Sequence, residues 1–222
     1  NEGGDSRNLT VSGDISNSGT LQGNASAISS RKLTSTGTLN GGNFTVTGSG
    51  LGNTTRTIDL GGTVTGNVDI TLTGAGNNRH EDLQASGNIR NLTINNAAAV
   101  VHTGRNTTID GDLTITAGTL STDDSGTSVD LTVAGDCIVG DGAGSADTAV
   151  LTGNASAISL GSLTLNSDGK YDATSGTTTI TSEISGDYAL DKHASGTFAH
   201  NSGTVTVTTN TNTFFRGFEG TD

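Results

Sequence analysis

The chain has 222 residues and a formal net charge of −12, and Gly (34), Thr (40), Ser (23) and Asn (20) fill just over half of its positions. Pro, Met and Trp are absent, Cys occurs once, and aromatic residues make up 3 %. There is no apolar run long enough for a membrane-spanning helix, no Gly period for collagen and no second Cys for a disulfide scaffold. Leu, Ala, Glu and Lys are too sparse in helical period for a bundle, and 22 acids against 10 bases argue against nucleic-acid phosphates or anionic lipid as partners.

Short apolar–Thr–apolar triplets recur along the chain. They are Leu9-Thr10-Val11, Phe44-Thr45-Val46, Ile70-Thr71-Leu72, Leu92-Thr93-Ile94, Leu113-Thr114-Ile115, Leu131-Thr132-Val133, Leu163-Thr164-Leu165 and Val205-Thr206-Val207. One face apolar and one face Thr is the period of a strand, and β-branched side chains favour it. Weaker strand signals fill the longer gaps: Leu33-Thr34, Thr57-Ile58, Val150-Leu151 and Thr179-Ile180. The pairs Gly13-Asp14, Gly111-Asp112, Gly135-Asp136 and Gly186-Asp187 end strand candidates and suit sharp corners. Successive triplets lie 35, 26, 22, 21, 18, 32 and 42 residues apart, and the central values near 20 are those of a solenoid coil.

An internal duplication supports stacking. Leu21-Gln-Gly-Asn-Ala-Ser-Ala-Ile-Ser29 matches Leu151-Thr-Gly-Asn-Ala-Ser-Ala-Ile-Ser159, and Leu9-Thr-Val-Ser-Gly-Asp14 matches Leu131-Thr-Val-Ala-Gly-Asp136. The offsets of 130 and 122 imply eight inserted residues in the second copy, placed within Val139-Gly-Asp-Gly-Ala-Gly-Ser-Ala-Asp147. The expected fold is all-β: a right-handed parallel β-helix (β-solenoid), with a distinct aromatic-containing C-terminal region. A β-sandwich is the alternative, although it usually wants more aromatic core.

Six of the seven rings lie after residue 170. The expected division is therefore coils over 1–170, then C-terminal coils with a capping or assembly tail over 171–222. An open solenoid end must be capped or joined to a partner. Phe214, Phe215, Arg216 and Phe218 are the candidates for either role.

The chemistry on offer is sparse. Asp123, Asp124 and Asp130 surround one Gly turn, and Asp141 and Asp147 flank another. Calcium is the cation such carboxylates and turn carbonyls would take, with ordinary polar turns as the competing reading. No His pair among His80, His102, His193 and His200 has zinc spacing, so surface histidines are expected. Asp59, Asp69 and Asp110 are scattered at corners, which disfavours acid–base catalysis by a fixed carboxylate pair. Cys137, beside Ile138 and Val139, reads as a buried inert thiol. The Thr-x-Thr pairs at Thr45, Thr71, Thr114 and Thr204 suit an ice-matching ladder. Unequal separations argue against constant coil length, so outward Thr on half-buried strands is the preferred account.

The Leu-Thr-Val-x-Gly-Asp and Gly-Thr-Leu motifs, with Ser-Gly-Thr-Phe-Ala-His-Asn-Ser-Gly-Thr-Val-Thr-Val207, resemble β-solenoid repeats of surface proteins. Such repeats occur in bacteriophage fibre and tail proteins and in filamentous-haemagglutinin-like adhesins. The resemblance is one of repeat style and carries no catalytic residue across. It implies a non-enzymatic structural component of an extracellular or virion surface, self-associating or contacting neighbouring subunits. An adhesin that binds a host glycan or protein is the second expectation, and a polysaccharide-degrading β-helix enzyme the third. No cofactor is expected beyond the calcium ion considered above.

Overall fold

The computed structural model describes residues 7–49, 51, 56–74, 79–83, 86–144, 147–184, 188–209 and 214–217. Among them there are strands, bridges and turns and no helix, and the strands stack in parallel as a β-solenoid. Among the described residues, antiparallel pairing is confined to the hairpin Asp123–Asp124 with Thr127–Ser128 and to a bridge between Ile184 and Tyr188. A sandwich would need antiparallel sheets packed face to face, so the parallel ladders set that alternative aside.

Each turn visits three faces. On the first, one unbroken register runs Leu9, Ile28, Phe44, Ile70, Leu92, Leu113, Cys137, Leu163, Leu190, Phe215. The second carries Ile15, Leu33 and Ile58; past the Asp59–Asp82 bridge that register holds Glu81 and Thr103, and the apolar column stands two residues earlier on the strand, through Val101, Leu120, Leu151, Tyr171 and Phe198. The third holds Leu21, Leu39 and Val64 and then Ile109, Val133, Leu160, Ile180 and Val207. Alternation points every second side chain inward, and strand spacing sets the rungs about 4.8 Å apart. Most of these inner residues are fully buried. The apolar content, modest over the whole chain, is thus concentrated in three stacked columns.

The ladders cross residue 170 without a break. Tyr171 is a fully buried rung whose hydroxyl meets Thr178 Oγ1 at 2.6 Å, and its ring meets Phe198 edge to face at 5.5 Å. Two of the late aromatics are therefore neighbouring rungs of the second face, where wider rings replace the aliphatic residues of earlier turns.

The unequal triplet separations are absorbed at corners and leave the faces in register. Thr45, Thr71, Thr93 and Thr114 stand in one outward column although their spacings differ. The inserted segment behaves the same way. Leu9 pairs with Ile28, and Leu131 with Ile158, so the second copy takes eight more residues to come round. The two copies also occupy different faces: Leu9 lies on the first face and Leu131 on the third. Their shared corner keeps its shape, with Asn24 and Asn154 at φ of 50° and 49° and Ser26 and Ser156 both buried. The duplicated unit is a paired strand and corner that this chain uses on two different placements around the coil.

Corners approach so closely that some tolerate only glycine. A Cβ on Gly135 would lie 2.3 Å from Asp112 Oδ1 and 2.7 Å from the Gly111 carbonyl oxygen. Gly135→Ala is expected to destabilise the fold by about 1–3 kcal/mol, the range for an overpacked interior, read from urea unfolding.

Cys137 occupies a first-face rung between Leu113 and Leu163 and is fully buried. Burial, aided by the Asp136 charge, pushes its thiol up to about 12. The folded chain is expected to resist an aromatic disulfide reagent at pH 8, and the urea-unfolded chain to release one equivalent of chromophore.

Candidate functional site

Phe214–Arg216 is the last strand on the first face, pairing in parallel with Tyr188, Leu190 and Asp191. Arg216 fixes it to the preceding turn. Its guanidinium forms a two-pronged ion pair with Asp191, with Nε 2.6 Å from Oδ1, and lies 4.7 Å from the centre of the Tyr188 ring. Phe215 is 52 % exposed although its register position belongs to the core ladder. At the other end of that same ladder Leu9 is 46 % exposed. Of the proposed assembly residues, Phe215 and Arg216 are placed at the terminal rung. Phe214 contributes its backbone there, and Phe218 lies outside the described residues.

Four of the carboxylates considered for calcium, those of Asp123, Asp130, Asp141 and Asp147, make separate local contacts. Asp123 pairs with His102 Nδ1, accepts the Ser121 hydroxyl at 3.2 Å and accepts the Gly126 N–H at 3.1 Å. Asp124 contributes backbone to the same hairpin. Asp130 Oδ1 accepts the Ala157 N–H at 2.9 Å, which joins one corner to the next turn. Asp141 Oδ1 accepts the Ala143 N–H at 2.7 Å, and Asp147 Oδ1 accepts the Thr197 hydroxyl at 2.9 Å. Among the described residues no three His, Cys, Asp or Glu side chains converge. This arrangement does not fit a calcium site, which needs six to eight oxygens around one point.

His102 departs from the surface reading. It is partly buried, and its contact with Asp123 pins the antiparallel hairpin against the second face. His193 and His200 are exposed and accept N–H groups within their own turns.

One corner forms a continuous zipper of Asn and Asp. Asn91 donates to Asp69 at 3.0 Å, and Asn91 Oδ1 accepts the Asp112 N–H at 2.8 Å. Asp112 Oδ1 accepts the Asp136 N–H at 2.9 Å, and Asp136 Oδ1 accepts the Ser162 hydroxyl at 2.7 Å. Each side chain satisfies a backbone or side-chain donor one turn away, where a bare corner would leave it open. The Gly-Asp pairs at 111–112 and 135–136 lie in this zipper.

Three buried acids lay outside the sequence reading. Asp168, 1 % exposed, accepts the Gly142 N–H and the Thr148 hydroxyl, both at 2.9 Å, and so ties down the inserted corner. Burial pushes its carboxyl up, but those donors outweigh it and hold the group below the ordinary carboxylate value. The contribution to stability is therefore complete above about pH 4, the ordinary Asp value, and fades as pH falls through the lower folded value. Asp168→Asn is expected to free the 140–148 corner at neutral pH, seen as faster amide exchange at Gly142. Glu81 and Asp82 are both fully buried. Asp82 pairs with Arg105 Nε at 2.8 Å and Arg56 Nη1 at 3.4 Å. The sequence signal for these groups was slight: two adjacent acids where a strand should enter the core, and an Asn-Ser-Asp-Gly turn at 166–169.

No protein family, curated protein or solved structure matches this chain.

Proposed function

We propose that the chain is a non-enzymatic structural component of an extracellular assembly, a bacteriophage fibre or virion-surface protein. The observation that carries this reading is the first-face ladder, apolar along its length and, among the described residues, ending at an exposed residue on each side, Leu9 and Phe215. The strands Leu9–Thr10 and Phe214–Arg216 run in the same direction, since every pairing between them is parallel. A second copy set above the first would present Phe215 to Leu9 and extend the ladder by one rung. Such head-to-tail contact does not close on itself and produces an open filament. The Thr and Asn on the outer sides of the strands keep the shaft soluble, and the repeat style fits a surface role.

Sedimentation velocity tests the contact. The wild-type chain is expected to shift to larger species as concentration rises. Phe215→Asp, which places a charge at the terminal rung and leaves the internal turns intact, is expected to stay monomeric. Equal sedimentation of the two at every concentration would refute head-to-tail assembly.

A further inference from the structure

The second face loses its apolar column where Glu81 and Asp82 enter, and a cavity of about 10 Å³ lies beside that break. Its wall is apolar at Val46, Leu72 and Val101 and polar at Thr57, Glu81 and Asn96. Glu81 is fully buried; its Oε2 accepts the N–H groups of Thr57 and Ile58, each at 2.7 Å, and its Oε1 accepts the Thr57 hydroxyl. Asn96 is 6 % exposed, and none of the described residues hydrogen-bonds its side-chain amide. A buried amide with two donors and an acceptor is costly to leave without partners.

We propose that this cavity is a binding site for one internal water molecule. Three features converge on that ligand. The volume is that of one water and admits little else, since about 10–15 Å³ suffices. A buried water needs two or more polar partners, and the Glu81 carboxylate and the Asn96 amide both face the same small space. The partners are also complementary: the carboxylate accepts a hydrogen from the water, while the Asn96 NH₂ donates to its oxygen. Asn96 and Glu81 belong to successive turns, so the water joins turns where the apolar ladder cannot.

Proton NMR of the ¹⁵N-labelled full chain tests this through cross-relaxation between water and the Asn96 side-chain NH₂. The expected result is a cross-peak with the negative sign of a water held far longer than surface hydration. Asn96→Leu removes the polar partner and fills the space. It is expected to abolish the cross-peak, keep the β circular dichroism and leave Tm unchanged or a few degrees higher. Absence of a long-lived water signal at Asn96 in the folded wild type would overturn the proposal. So would a high-resolution map showing the cavity empty or filled by a cation. If Asn96→Leu fails to fold, the wild-type cross-peak decides alone.

Discussion

Glu81→Ala is expected to lower the free energy of unfolding by about 3–5 kcal/mol, because it orphans two buried N–H groups and empties space in the core. The donors are the backbone amides of Thr57 and Ile58, which have the Glu81 carboxylate as acceptor at the point where the second face enters its turn. Glu81→Gln keeps an acceptor oxygen of nearly the same shape, so its expected loss is smaller, about 1–2 kcal/mol. Urea unfolding followed by circular dichroism separates the two variants. An alanine variant within about 0.5 kcal/mol of wild type, the scale of a surface substitution, would mean that the amides find other partners and that Glu81 does not organise this turn.

The second large effect contrasts two leucines of one ladder. Leu113 sits between Leu92 and Cys137 on the first face and is fully buried. Leu113→Ala removes packing from a site closed above and below, and the expected cost is about 2–5 kcal/mol. Leu9, at the end of the same ladder and 46 % exposed, has a neighbour on one side only among the described residues. Leu9→Ala in dilute solution is expected to cost less than about 1 kcal/mol. If the two losses are equal, the terminal rung is closed in solution, and the exposure on which the assembly proposal rests is absent.

The sequence made the faces legible and the corners much less so. Strict alternation in Leu113-Thr114-Ile115 or Leu163-Thr164-Leu165 reports directly which side chains point inward, because strand period and burial are the same fact. The duplication at Leu21 and Leu151 announced stacking, and the eight extra residues were placed at the corner that carries them. Corner chemistry was hidden because its partners are a full turn apart. Asp168 serves a loop more than twenty residues earlier, and Asp123 serves His102 on the neighbouring turn. Proximity in sequence made Asp123, Asp124 and Asp130 look like one cation site, whereas the fold gives Asp123 and Asp130 to different neighbours. The Thr columns follow from the same alternation. Thr45, Thr71 and Thr114 lie outward on half-buried strands, as the apolar–Thr–apolar period implies, and the unequal separations are taken up at corners while the column stays in register.

Of the candidate site, the aromatic cluster near the C-terminus was visible as composition. Its division of labour was not. Arg216 fastens the last strand to Asp191 and Tyr188, while Phe215 extends the core ladder to an exposed end. Only register, which links Phe215 back through successive turns to Leu9, shows that the two exposed residues end a single column.

Electron cryo-microscopy of the purified chain at rising concentration tests the central claim most directly. Head-to-tail stacking predicts unbranched rods that lengthen with concentration and whose averaged images carry a continuous axial repeat of about 4.8 Å across subunit boundaries. Uniform particles of single-chain length at every concentration, with no axial continuation, would contradict it.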